Sequence, residues 1–290
     1  YSWLMIETRE VVICGAGIAG IATAHALASC GVKDILLVDE RPPLTLTSDK
    51  PTGAYRNWWP GPDDSMIRLM NRSIDLLEQW AAQSDNRFLL KRRGYLYATA
   101  RADAAAGFLA DAELASRQGA GAVRVYRTVS EAATYQPSAH AGFRDHPTGA
   151  DIFLNHDAIR QQFPFLAPEI TAVLHARRCG WLSGQQLGMY LLEEARALGV
   201  TLRAGRVDSV TLTGGRVSEV SIAQENGVTA RIATPVFVNC AGPYARQVSQ
   251  LLGVDLPLFS EMHLKVAFED TLGVVDRNTG LVILDDPQTL

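Results

Sequence analysis

Glu10-Val11-Val12-Ile13-Cys14-Gly15-Ala16-Gly17-Ile18-Ala19-Gly20 decides the reading of this chain. A short β-branched run leads into G-x-G-x-x-G, and an alanine-rich helical pattern follows from Ile18 to Ala28. In that order the glycines read as a dinucleotide fingerprint rather than as ordinary turns. Gly15 would allow a tight turn out of the strand, Gly17 would let the backbone approach a pyrophosphate, and Gly20 would let the helix pack closely on the sheet. Unpaired N–H groups at the helix start would hold the phosphates. A second strand, Ile35-Leu36-Leu37-Val38, ends in Asp39-Glu40. An acid about 20 residues past the glycines accepts the hydrogen bonds of an adenosine ribose.

The chain has 290 residues, enough for one large or two modest domains, with 47% hydrophobic and 20% charged residues, the balance of a globular protein. A net charge of −4 and a pI near 5.9 give no basic footprint, which argues against nucleic acid as a partner. No apolar run reaches the ~18 residues that span a bilayer, so no transmembrane segment is expected. The start, Tyr1 to Glu10, is apolar too briefly for a signal peptide. Cys14, Cys30, Cys179 and Cys240 form no C-x-x-C pair and read as isolated thiols in a reducing compartment. A cytoplasmic enzyme is expected, and no metal-ligand spacing stands out.

Outward from the fingerprint, the first helix should stop at Ser29-Cys30-Gly31, with Gly31 past its end. Residues 41–56 are small, polar and proline-rich, a loop long enough to suggest function. Residues 63–83 carry Met66, Leu69, Met70, Ile74, Leu77, Trp80 and Ala81 at helical spacing. Residues 88–98 suggest a pair of short strands, and 101–117 a helix. Ser183 and Gln186 have the spacing of a capping box that opens a helix ending at Gly199. Three strand-like runs follow, 206–213, 216–223 and 228–233, with Gly214-Gly215 and Asn226-Gly227 as hairpin turns. Val236 to Asn239 reads as a strand entering Cys240-Ala241-Gly242-Pro243 and a short helix through Leu251, and 256–290 alternate like strands of an unfinished sheet.

A plain nicotinamide domain would continue β-α-β-α after Val38 in one block, whereas here a long loop intervenes and the meander comes more than a hundred residues later. With these pieces in place, the chain resembles the FAD-dependent oxidoreductases of the D-amino-acid oxidase and sarcosine oxidase superfamily. The resemblance rests on Val11 to Gly20, on Glu40-Arg41, on the loop from Thr47-Ser48 to Thr52-Gly53-Ala54, on Gly180-Trp181-Leu182-Ser183 and on Val238-Asn239-Cys240-Ala241-Gly242-Pro243. It implies an α/β fold: a Rossmann-like FAD-binding domain, mostly parallel sheet plus β-meander, interleaved with a mixed-sheet α+β substrate domain. The expected division is 1–84 and 179–252 for the FAD-binding domain, and 85–178 with 253–290 for the substrate domain. The resemblance further implies that Gly15, Gly17, Ala19 and Gly20 hold the pyrophosphate, with Glu40 on the adenosine ribose and Asp39 as the alternative. Arg41 would lie beside the adenosine, Thr52, Gly53 and Ala54 would run past the flavin ring, the Val207 backbone would face adenine, and Ala241 and Gly242 would pass close to the pyrophosphate. An ordinary strand valine is the other reading of Val207.

Relatives with flavin attached near the N-terminus use a His that has no counterpart between Arg41 and Arg56. The family's closing Asp-x-x-Pro-x-x-Gly-like phrase is also missing, so a C-terminal truncation after Leu290 is expected. The resemblance implies oxidation of the C–N bond of an amino acid or secondary amine, with oxygen or another electron acceptor. Oxidation of C–OH in 2-hydroxy acids or glycerol phosphate, and a non-catalytic flavin-binding subunit or fragment, are the alternatives. His263 is a candidate catalytic residue, on a strand that faces the flavin in relatives, or else a structural histidine. Arg56 is a candidate anchor for a substrate carboxylate, because a guanidinium binds one bidentately, or else a surface ion-pair partner. Trp58, Trp59, Tyr95 and Tyr97 would either wall a pocket or fill a domain interface.

Overall fold

A computed structural model describes residues 6–139, 142–225, 227–262, 264–266, 269–273 and 279–284. The chain divides into two compact units, Tyr1–Thr52 with Gly184–Lys265, and Gly53–Ser183 with Val266–Leu290. Along the first unit's opening segment run β1 (Glu7–Thr8), β2 (Val11–Cys14), α1 (Ile18–Ser29) and β3 (Ile35–Asp39). The second unit then supplies β4 (Ala54–Arg56), α2 (Ser65–Gln83), β5 (Tyr95–Thr99), α3 (Ala104–Ala115), β6 (Val123–Tyr126), α4 (Val129–Ala132), β7 (Ala150–Phe153), α5 (His156–Gln162), β8 (Ala172–Ala176) and β9 (Cys179–Trp181). The chain returns to the first unit with α6 (Gly184–Ala197), β10 (Thr201–Ala204), β11 (Arg206–Thr213), β12 (Arg216–Ala223), β13 (Thr229–Ala233), β14 (Val236–Asn239) and α7 (Ala245–Gln250). It ends with β15 (Leu281–Leu284) in the second.

The first unit holds a parallel sheet in the order β10-β3-β2-β14. Its second sheet, β1-β13-β12-β11, is the expected meander with β1 added in parallel. Gly214 and Gly215 both have positive φ, +59° and +77°, as a tight two-residue hairpin between right-twisted strands demands. Val12, Leu36 and Val38 from the parallel sheet meet Val207, Val220 and Ile232 from the meander in one buried cluster. Each such side chain is worth about 1.5–3 kcal/mol relative to exposure.

In the second unit the sheet order is β15-β5-β8-β7-β6, mixed in direction, with β4 paired to β9 beside it. Trp58 and Tyr95 are buried in its core, and Trp59 and Tyr97 pack partly buried against them. This α/β architecture, a parallel sheet plus meander interleaved with a mixed-sheet unit, is the one the sequence leads to.

The details differ in four places. Helix α2 buries Ile67, Ile74 and Ala81, so the expected stripe holds at Ile74 and Ala81, while Met66 and Leu69 stay exposed and Ile67 takes their place in the first turns. It also groups with the second unit, whereas the sequence reading placed residues up to 84 in the first. Only the second half of the expected pair at 88–98 is a strand. Lys91 makes an isolated bridge to Trp181, and Leu89 at φ +56° interrupts extended pairing. Among the described residues beyond 253, only 281–284 form a strand. The alternating apolar residues before it, Phe259, Met262 and Leu264, are 83%, 99% and 87% exposed. Alternation makes a strand only where another strand supplies hydrogen bonds and a covered face.

Candidate functional site

At the C-terminal ends of β2, β3 and β14 the first unit encloses a cavity of about 500 Å³, within the range of small-molecule and cofactor sites. Its position follows from strand order, because ligands in open α/β sheets bind beyond the carboxyl ends of strands where connections diverge. β14 enters the sheet on the far side of β2 from β3 and so opens the crevice.

The glycine loop forms one wall, and each glycine has its own reason. Gly15 has φ +109°, and a Cβ there would stand 2.3 Å from the Cys240 carbonyl oxygen. Its N–H donates to the Val38 carbonyl at 2.8 Å, which ties the loop to β3. A Cβ on Gly20 would lie 1.8 Å from the Gly15 carbonyl, so Gly20 permits helix α1 to approach the strand. Gly17 is unlike either. Its φ of −75° suits any residue, and a Cβ would meet only the Ser48 hydroxyl, at 3.2 Å. As the N-cap of α1 it offers no side-chain oxygen, and no acid occupies the first turn. The positive end of the helix dipole is therefore open to an anion.

The Asp39 carboxylate accepts from Ala16 N at 2.7 Å and from Arg41 N at 2.9 Å. It thus ties the glycine loop to the end of β3. Glu40 is exposed, and its carboxylate stands 3.6 Å from the Arg41 guanidinium. The loop after Arg41 is strapped across the glycine turn. Leu44 N donates to Ala16 O at 3.0 Å, and the Ser48 hydroxyl accepts from Ile18 N at 3.0 Å. Leu44 is buried despite φ +65°. Gln185 of α6 secures the strap by donating to Leu44 O at 3.0 Å and to the Asp49 carboxylate at 2.8 Å. Opposite, Asn239 donates to Ala245 O and Ser249 Oγ and accepts from Ala241 N, which fixes the turn through Ala241 and Gly242. Burial, with Asp39 and Cys240 nearby, pushes the Cys14 thiol up to about 12, so it stays protonated near neutrality.

Of the expected residues, Gly15, Gly17, Asp39, Glu40, Arg41, Val207, Ala241 and Gly242 line this cavity together. Ala19, Gly20 and Thr52 do not. Gly53 and Ala54 belong to the second unit, where Gly53, at φ +67°, lies so close to the Leu182 carbonyl that a Cβ would stand 2.0 Å from it. His263 lies outside the described residues. Arg56 is engaged within the second unit. Its guanidinium donates to the Tyr97 hydroxyl at 2.7 Å and stacks on the Trp59 ring at 3.9 Å. Burial raises the Tyr97 phenol, and the adjacent Arg56 charge offsets part of that rise.

Sequence reasoning missed Ser48, Gln185 and Asn239 as site-forming residues. The resemblance of the 47–54 loop offered a signal for Ser48. Gln185 acts across 136 positions of sequence, and no local pattern marks it. Sequence also gave no hint of a buried ionic network in the second unit. There Asp151 accepts from Arg124, Tyr126 and Arg177. His175 sits between the Arg93 carbonyl and the Tyr135 hydroxyl. Burial and the Arg177 charge lower the His175 pKa to about 3. Among the described residues no helix is long and apolar enough to cross a membrane, and no cluster of three or more His, Cys, Asp or Glu gathers to hold a metal.

Comparison with known proteins bears on the fold and the family. L-proline dehydrogenase from P. horikoshii superposes with a TM-score of 0.68 at 18% identity, over 86% of this chain and 57% of its own. L-amino acid deaminase from Proteus myxofaciens does so at 0.67 and 20%, over 87% and 50%. FAD-bound L-alpha-glycerophosphate oxidase from Mycoplasma pneumoniae gives 0.61 and 17%, over 85% and 57%. At these identities the likeness is one of fold. The chain spans between half and three fifths of the length of these structures. No curated protein matches it. The family model for FAD dependent oxidoreductases, DAO, matches residues 10–282. With the glycine cradle and its cavity in view, the chain belongs to the DAO family of FAD-dependent oxidoreductases.

Proposed function

We propose that the first-unit cavity holds the ADP half of FAD and that the chain serves the oxidation of the C–N bond of an amino acid or secondary amine. The observation that carries the reading is the Gly17 corner, a helix start facing the cavity whose N-cap residue supplies no side chain and whose one near side-chain atom is the Ser48 hydroxyl. The pyrophosphate would meet the N–H groups around Gly17 and the Ser48 hydroxyl, and Ala241 and Gly242 would border it on the other side. Asp39 is the better-placed ribose acceptor, because its carboxylate is fixed at the strand end by two backbone donors and keeps lone pairs free. Glu40, which the resemblance puts first, is the alternative. Val207, buried on β11 and lining the cavity, would border the adenine. Thr52, Gly53 and Ala54 would flank the isoalloxazine ring.

Such a group, when bound, supplies hydride acceptance from the substrate carbon, and the protein's part is orientation and electrostatics. In the second unit Arg56 would hold a substrate carboxylate. Its guanidinium has five N–H donors, and Trp59 and Tyr97 fix its plane without using all of them. Support for an amino-acid substrate comes from the proline dehydrogenase and L-amino acid deaminase neighbours. The glycerophosphate oxidase neighbour supports the C–OH alternative. Oxygen or another acceptor would complete the turnover.

The test is anaerobic reduction of the flavin-loaded full-length protein by a panel of amino acids, N-methyl amino acids and 2-hydroxy acids. Bleaching by an amino acid or N-methyl amino acid is expected. Bleaching by hydroxy acids alone would transfer the assignment to C–OH oxidation, and a protein that takes up no FAD would overturn the cavity assignment.

A further inference from the structure

We propose that Arg41 and Tyr244 form a latch across the mouth of the first-unit cavity, one that sets how fast an adenine dinucleotide is taken up and released. The proposal rests on reading that cavity as the FAD site. Arg41 begins the loop after β3, and Tyr244 ends the turn after β14. These strands flank β2 on opposite sides, so the two residues rise about 9–10 Å apart, two strand spacings. Their side chains close that gap over the C-terminal end of β2. The guanidinium carbon stands 5.4 Å from the Tyr244 ring centroid, and Nη2 lies 3.4 Å from the Tyr244 hydroxyl. Both residues line the cavity.

Each arm is mounted on fixed backbone. Arg41 N donates to the Asp39 carboxylate at 2.9 Å. Tyr244 N donates to Ala241 O at 3.0 Å, and Asn239 ties the adjoining Ala245 carbonyl at 2.7 Å. Both backbones are thereby held, and the two side chains are left as the parts that move. Carbon layers pack about 3.5–4.0 Å apart, so a base inserted between guanidinium and ring needs about 7 Å. At 5.4 Å there is no room for one. A planar base that enters between these two side chains must therefore displace the latch. Glu40 gives the displaced guanidinium a resting place, since its carboxylate already stands 3.6 Å away. Arg41 thus has two partners, an aromatic face across the mouth and a carboxylate on its own side.

Cys14 and Cys240 line the cavity beneath the latch and report on access without any cofactor. Cys30 is exposed and Cys179 is buried in the other unit, so a Cys30→Ser background isolates the cavity thiols. Their reaction with a maleimide at alkaline pH would be timed in the flavin-free full-length chain, alongside stopped-flow fluorescence of FAD uptake and release. An exposed cation–π contact corresponds to about a two- to fivefold effect. Tyr244→Leu and Arg41→Met should each speed thiol modification by that factor. FAD association and dissociation should rise together, with Kd held within about twofold. Tyr244→Phe keeps the ring and should fall between. Unchanged thiol rates in both variants would overturn the latch, as would faster dissociation at an unchanged association rate, which is the behaviour of a contact that only grips the bound base. Thiol rates that respond in a chain taking up no FAD would refute the flavin reading while upholding a latch on the cavity.

Discussion

The glycine loop offers a test in which folding and ligand binding separate. Gly15→Ala places a methyl 2.3 Å from the Cys240 carbonyl at φ +109°. Left-handed strain and enforced repacking together amount to on the order of 2–5 kcal/mol. Gly20→Ala drives a methyl to 1.8 Å from the Gly15 carbonyl and should be at least as damaging. Gly17→Ala differs in kind. Its φ of −75° accepts alanine, and the only near atom is a side-chain hydroxyl at 3.2 Å. The small gain from a stiffer unfolded chain offsets the loss of a glycine N-cap, so the flavin-free protein should change by less than about 1 kcal/mol. The same methyl projects where the pyrophosphate must approach the helix start. Loss of one charge-assisted hydrogen bond there, about 1.5–3 kcal/mol, weakens FAD binding roughly 10- to 150-fold. Urea unfolding of the flavin-free variants and fluorescence titration with FAD measure the two effects independently. A Gly17→Ala protein that binds FAD like the parent, or unfolds like Gly15→Ala, would refute the assignment of the phosphate corner.

Four further expectations can be checked together. Asp39→Ala should weaken FAD binding by about 1.5–3 kcal/mol and Glu40→Ala by less, and a reversed order in a titration would return the ribose to Glu40. Arg56→Ala should raise KM for an amino-acid substrate more than it lowers kcat, the pattern of lost ground-state binding. Equal loss in both constants would remove Arg56 from the carboxylate. In the second unit, Asp151→Ala strands the Arg177 guanidinium, which is 1% exposed, and should destabilise by about 3–5 kcal/mol in urea unfolding. His175 titrates at about 3 in the folded chain against about 6.5 when unfolded. The unfolded state therefore binds the extra proton between these values, and stability should fall as pH drops from about 6.5 toward 3, by at most about 1.4 kcal/mol per unit. His175→Gln should flatten that slope, and an unchanged slope would exclude His175 as its source.

How much of this was legible depended on whether a signal was local. Strand, glycines, helix and second strand lie within thirty residues of one another, and their hydrophobic and turn patterns carry the first unit's opening almost unaided. The meander was equally plain, because Gly214-Gly215 can hardly be anything but a hairpin turn. The adjacent acids Asp39 and Glu40 could not be told apart by spacing. Only the strand register, with Val38 opposite Cys14, shows which carboxylate turns toward Ala16. The stripe on α2 was misjudged only at its start, because Met66 and Ile67 are both apolar and tertiary contact chose the second. Gln185 and the Asp151–Arg177 pair were illegible for a simpler reason. Their partners are remote in sequence or are backbone atoms, which leave no residue-type pattern to read.

The return of β14 to β2 has a consequence for how the molecule comes to exist. Asn239 aligns with Cys14 in the finished sheet, so a ribosome must add some 225 residues before β2 meets its second neighbour. At about 5–20 residues per second that interval is roughly 10–45 s. Through all of it the glycine turn exists without its far wall, and one flank of β2 presents unpaired amides to whatever is nearby. The glycine corner, though it comes early in this sequence, is among the last features of the first unit to be completed. A nascent chain released before Asn239 would carry the whole fingerprint and still lack the far wall of the cavity.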